Sequence, residues 1–152
     1  MELGSIMAMV GIGVMVGLAG VGSAIGTAIG GSAVVGTLKK KPESFGVAMA
    51  LAAMPATQGL YGFVGFIMYQ QKMAGMETIS PAVGAVVLGA GLALGIVALF
   101  SAMHQGKVVA NGIAAIGGGH NVFAQTLILG AFPEFYAILA LVVAILMQQL
   151  IA

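Results

Sequence analysis

Four long apolar runs, covering about residues 6–38, 45–69, 81–116 and 122–150, constrain this chain more than any other feature. Each exceeds the ~20 residues a helix needs to cross the hydrocarbon core of a bilayer. Backbone groups in lipid must find partners within the protein, so helices or a closed barrel are the only spanning structures. The runs are too long for barrel strands and lack strict period-2 alternation, which leaves four helices. Composition agrees: 61% of the chain is hydrophobic and 6% charged, against roughly 25% charged in a soluble domain.

Charge placement suggests an orientation. Lys39, Lys40 and Lys41 lie between the first two runs, and positively charged turns stay cytoplasmic. Four spans then put the second turn, near Gly117-Gly118-Gly119-His120, in the cytoplasm too, with both termini and the 70–80 connection outside. The chain begins Met1-Glu2, and its first run is too long for the core of a signal peptide, so no cleavable signal is expected. A net charge of +1 gives no reason to expect nucleic acid as a partner, and the absence of cysteine removes disulfides and thiolate metal sites.

The chain is internally duplicated. A shift of 78 residues places Gly11, Gly13 and Gly17 on Gly89, Gly91 and Gly95 without a gap. The same shift puts Ser23-Ala24 on Ser101-Ala102, Phe45 on Phe123, Leu51 on Leu129, Pro55 on Pro133, and Gln70-Gln71 on Gln148-Gln149. Glycine matches come cheaply in such sequences; the Pro, Phe and Gln-Gln matches do not. The expected organisation is two tandem helical hairpins, residues 1–74 and 79–152, both starting on the same side of the membrane. Glycine spaced four apart in the first run (Gly13, Gly17; Gly22, Gly26, Gly30) lets backbones approach closely. Its presence on more than one face suggests crowding from several sides.

The duplication isolates one residue. Of four carboxylates (Glu2, Glu43, Glu77 and Glu134), only Glu134 lies deep in an apolar run, and its counterpart in the first half is Ala56. An ionisable group at mid-bilayer costs at least ~2.5–3.5 kcal/mol, which makes an ion or proton site its default role. Counted from the cytoplasmic turns at 1.5 Å per residue, Glu134, Gln105, Thr57 and Gln58 all lie roughly 20–27 Å deep. Tyr61, one turn beyond Thr57, reaches the same level, and Pro55 beside them frees a backbone carbonyl. A carboxylate, two amide carbonyls, a hydroxyl and a loosened carbonyl suit a hard cation such as Na⁺. A proton would need only a carboxylate in an apolar pocket, because desolvation disfavours the charged form.

Other polar residues read more plainly. Lys107 suits a snorkelling lysine; His104 is directed about 100° away from Gln105, suiting packing or a pore; His120 suits a solvated turn or a contact with a soluble subunit. Thr27 occupies the position of Gln105 in the first half, a degenerate slot.

The strings Pro55-Ala56-Thr57-Gln58-Gly59-Leu60-Tyr61-Gly62, Gln105-Gly106-Lys107 and Phe132-Pro133-Glu134-Phe135-Tyr136 resemble the membrane-rotor (proteolipid, K or c) subunits of V-type ATPases. The four-helix sodium-translocating form of bacteria is the nearest in pattern, over nearly the whole chain. The resemblance implies that Glu134 carries the ion, that Thr57, Gln58, Gln105 and the backbone carbonyl of Met54 complete a Na⁺ cage, and that Tyr61 hydrogen-bonds Glu134 to hold it closed. The family usually has an aliphatic residue where Met54 stands, a change a main-chain ligand tolerates. It further implies a homo-oligomeric ring with the first and third helices inside, set in the cell membrane among lipid. A stator subunit would supply an essential Arg, which this chain lacks, and a central-stalk subunit would meet the cytoplasmic turns. No cofactor is implied. With no Gly-rich phosphate loop ending in Lys-Ser/Thr, the chain is expected to be non-catalytic by itself. Three alternatives stand beside this reading: the same ring carrying H⁺, a small proton-coupled antiporter, and a purely structural four-span protein. The lack of tryptophan and the glycine-crowded first helix argue against the antiporter's drug pocket.

Overall fold

The computed structural model describes residues 2–151; Met1 and Ala152, the outer ends of the two expected hairpins, lie outside it. Five helices follow one another: α1 (Leu3–Leu38), α2 (Phe45–Ala52), α3 (Thr57–Met73), α4 (Pro81–Gly117) and α5 (Phe123–Gln148). They make four candidate membrane spans, because α2 and α3 together form one, Pro42–Met73. The chain is an all-helical, multi-pass membrane protein built as two tandem hairpins, with no strand among the described residues.

The second span is broken where the fourth is not. A tight turn at Met54–Ala56 separates α2 from α3, whereas α5 runs unbroken through Pro133. Proline removes a backbone donor in both. After Pro55, however, comes Thr57, whose backbone N–H and hydroxyl both turn back to the Met54 carbonyl, the hydroxyl at 3.0 Å. The equivalent residue in α5 is Phe135, which has no such side-chain donor. Elsewhere, α4 starts at Ser80, whose hydroxyl accepts the Val83 N–H at 3.3 Å, followed by Pro81 in the first turn. The Gly117–Gly119 turn needs its last glycine, at φ 93°.

Helices α1 and α4 form the spine. A methyl group placed on Gly22 would lie 2.6 Å from the Leu99 Cα, and one on Gly106 would lie 2.6 Å from the Gly26 carbonyl oxygen. The partners across this contact differ by 76 to 81 residues: Gly22 with Ala98, Thr37 with Ile113 (Thr37 Oγ1 donating to the Ile113 carbonyl at 3.1 Å), Gly11 with Gly91, and Val14 with Gly95. That brackets the 78-residue repeat, so duplicated positions sit side by side at equal depth. The glycines of α1 therefore divide. Gly22, Gly26 and Gly30 face packed neighbours, while Gly13, Gly17, Gly20 and Gly31 meet nothing within 4 Å. Helix-poor glycine is sustained here because lipid offers the backbone no other partner.

Candidate functional site

The three polar clusters expected at one depth meet where α3, α4 and α5 converge. The Tyr61 hydroxyl donates to Glu134 Oε1 at 2.7 Å, and Gln105 Nε2 donates to Glu134 Oε2 at 3.0 Å. Both carboxylate oxygens are therefore held, from two different helices. Gln105 Nε2 also donates to the Gly130 carbonyl at 2.9 Å, one turn before Glu134 on α5. Gln58 Nε2 donates to Gln105 Oε1 at 2.8 Å, while Gln58 Oε1 lies 3.3 Å from Thr57 Oγ1. Thr57 in turn reaches the Met54 carbonyl. All six residues singled out from the sequence thus belong to one connected network. Gln58 and Gln105 are fully buried, Glu134 half-buried.

The interior position of the two glutamines follows from helix geometry. Gln105 shares its face of α4 with Ser101, Ala102, Val109 and Gly112, all buried, whereas His104 and Lys107 lie on the exposed face and take no part. His120 is exposed in the turn. Thr27 donates to the carbonyl of Ser23 in its own helix at 2.7 Å and stays outside the network.

Two serines stand beside these residues, and one of them, Ser101, joins the network. Ser101 Oγ accepts from Gln58 Nε2 at 3.1 Å and donates to the Pro133 carbonyl at 2.8 Å, tying α3 to α5 through α4. Ser23, its counterpart in the repeat, accepts the backbone N–H of Gly59 at 2.7 Å. The signal that marks them is their match across the duplication; a single serine in a helix of small residues reads as packing. Among the described residues no buried side-chain nitrogen or oxygen lacks a partner. A polar network in a low-dielectric interior is rigid when complete and costly when one member is lost.

Chemically, the arrangement offers one carboxylate and a set of neutral oxygens from Met54, Thr57, Gln58 and Gln105, reached from three helices. Tyr61 and Gln105 are the donors that fix the carboxylate. Such groups suit a small cation held against a single charge, without the imidazole or thiolate ligands of a transition-metal centre.

Fold and site together define a multi-pass helical membrane protein built on a duplicated hairpin, with one carboxylate, Glu134, hydrogen-bonded at both oxygens. The chain belongs to the C-subunit family of ATP synthases: the family model matches it twice, over residues 10–69 and 88–147, again 78 residues apart. It is similar to the V-type sodium ATPase subunit K of Enterococcus hirae, with 36% identity over 116 residues, 76% of this chain and 72% of that protein. It is also similar to the A-type ATP synthase subunit K of Methanocaldococcus jannaschii, with 37% identity over 142 residues, 93% of this chain but 61% of that longer protein.

Proposed function

We propose that this chain is the ion-carrying ring subunit of a rotary V/A-type ATPase, with Na⁺ bound at Glu134 as cargo. Residues 1–74 and 79–152 serve as the two hairpin units, and only the second carries the charge. The Met54 carbonyl, Thr57, Gln58 and Gln105 supply the neutral oxygens, and Tyr61 latches the carboxylate. The observation that carries this reading is the double hold on Glu134, 2.7 Å to Tyr61 and 3.0 Å to Gln105, beside an oxygen-rich shell. The name of the Enterococcus relative, a sodium ATPase subunit, favours Na⁺ over H⁺.

The physical logic couples charge to position. A Glu134 neutralised by its cation tolerates lipid, and a bare carboxylate does not. Ring rotation through lipid is then permitted only for loaded sites. A stator arginine on a separate subunit displaces the ion, a central-stalk subunit meets the turns at Lys39–Lys41 and Gly117–His120 on the cytoplasmic side, and both termini face outward. ATP hydrolysis belongs to other subunits.

Carbodiimide labelling of Glu134 tests the ion. At fixed pH, Na⁺ should protect the residue in a concentration-dependent way, and Glu134→Gln should take no label. Labelling that ignores Na⁺ but falls with rising pH would replace Na⁺ by H⁺. A small monomer or dimer in mild detergent would overturn the ring.

A further inference from the structure

Gly130 forms a notch in α5, and the Met54 side chain sits in it. The glycine is buried one turn before Glu134, at a place in the helix where glycine forms helix poorly. A methyl group placed there would lie 3.1 Å from the Met54 Cε, 3.5 Å from its Sδ and 3.3 Å from the Val109 Cγ1. The duplication shows what the notch replaces. The counterpart of Gly130 is Ala52, whose own methyl group lies against Gly30 of α1. The counterpart of Met54 is Phe132, which is 54% exposed. Beside Glu134, then, a long unbranched side chain rests on bare backbone where the first hairpin has a methyl group.

That seat joins the two sides of the site. Met54 belongs to the break in the second span, and its carbonyl accepts from Thr57. Gly130 belongs to the turn of α5 that leads into Glu134, and its carbonyl accepts from Gln105 Nε2 at 2.9 Å. The polar ties across the same gap, from Gln58 to Gln105 and Ser101 and from Tyr61 to Glu134, are hydrogen bonds. A cation entering among these oxygens competes with such bonds. The Met54–Gly130 contact holds no charge or donor that an ion could displace, and close-packed interiors yield little. It can therefore keep the two sides apart by the same amount whether the site is loaded or empty.

We propose that the Met54 side chain is a positioning residue for the ion: seated on Gly130 and flanked by Val109, it sets the separation between the Met54 carbonyl and the Glu134 carboxylate, and with it the size of cation preferred. This rests on the ion-carrying reading of Glu134 and adds the source of its size selectivity. Discrimination between hard cations comes from the size and flexibility of the oxygen shell. Met54 is thus used twice, its main chain as a ligand and its side chain as a spacer. An unbranched thioether fills such a narrow slot. Leucine is shorter and leaves the notch partly empty, unless residue 130 regains a methyl group.

The test compares two ions on one residue. Full-length chain, assembled in mild detergent, is labelled at Glu134 with carbodiimide while Na⁺ or the smaller Li⁺ is titrated, and the ratio of the two protection midpoints is read. Met54→Ala removes the spacer, so the ratio should move toward Li⁺ by about threefold or more. Met54→Leu, which nearly conserves volume, should move it the same way by less. Gly130→Ala alone crowds the Met54 Cε and should give no shift toward Li⁺. Met54→Leu combined with Gly130→Ala refills the notch from the other wall and should return the ratio to within about twofold of the parent. Midpoints for both ions that rise together at constant ratio would make Met54 a packing residue only and overturn the inference, as would a double variant no nearer the parent than Met54→Leu alone. A parent chain whose labelling ignores both ions overturns the ion reading itself.

Discussion

Tyr61 and Gln105 divide the Glu134 carboxylate between them, one oxygen each, and this division sets what single substitutions do. Tyr61→Phe removes the donor to Oε1 without changing shape. A hydrogen bond to a charged group contributes ~1.5–3 kcal/mol, so the midpoint of Na⁺ protection against carbodiimide should rise roughly tenfold or more. Ser101→Ala acts one step back, by freeing Gln58 from one of its two acceptors and the Pro133 carbonyl from its donor. A neutral bond contributes about 1 kcal/mol, so the same midpoint should shift about fivefold. Ser23→Ala, which releases only the Gly59 N–H, should leave it unchanged. Equal shifts for the two serines would show that Ser101 is merely structural. The sequence makes Glu134, Gln58 and Gln105 legible because each is expensive in lipid and all fall at one counted depth. Ser101 escapes that count, since a hydroxyl can satisfy itself on its own helix and so carries little information alone.

At the level of elements, two polar contacts tie α3 to α5 far from the carboxylate. The Tyr69 hydroxyl donates to the Ala144 carbonyl at 2.6 Å, and Gln148 Nε2 donates to the Met68 carbonyl at 2.7 Å. Tyr69 is almost wholly buried. Interhelical bonds in membranes average about 0.6 kcal/mol and reach about 1.7. Tyr69→Phe should therefore lower unfolding stability within that range, read by SDS titration in mixed micelles, while the Na⁺ protection midpoint stays fixed. A change in the midpoint would mean that α3 and α5 move as a lever on the site. Hydropathy locates all four spans, because a span is a property of average composition. It does not reveal that Pro55 splits the second span while Pro133 leaves α5 whole, because that outcome turns on one neighbour, Thr57 against Phe135. The repeated Gln-Gln pair is visible in the sequence, but its use is not: Gln148 bonds across to α3, a contact set by how two helices happen to face.

The whole molecule is a duplicated unit whose halves have diverged in charge but not in register. Packing of α1 on α4 at offsets of 76 to 81 residues keeps Ala56 at the level of Glu134, which invites the question of whether the lost site can be restored. The partners needed for a cage have also gone: Thr57, Gln58 and Tyr61 correspond to Phe135, Tyr136 and Leu139, and Gln105 corresponds to Thr27. Ala56→Glu would thus place a second carboxylate on an exposed face of the second span, with no repeat counterpart of the Thr57, Gln58 and Gln105 side-chain oxygens to serve it. Without amide oxygens, that carboxylate has too few ligands to exchange for the hydration shell of Na⁺. Radioactive Na⁺ binding to the purified oligomer should accordingly stay at one ion per chain in both the parent and Ala56→Glu. Carbodiimide should label the new residue without Na⁺ protection, resolved from Glu134 by peptide mass. Two ions per chain would mean that the carboxylate alone defines the site and that the surrounding oxygens are dispensable. One ion, with an unprotected second label, assigns the selectivity to the oxygen shell that residues 54–61 and Gln105 build around Glu134 alone.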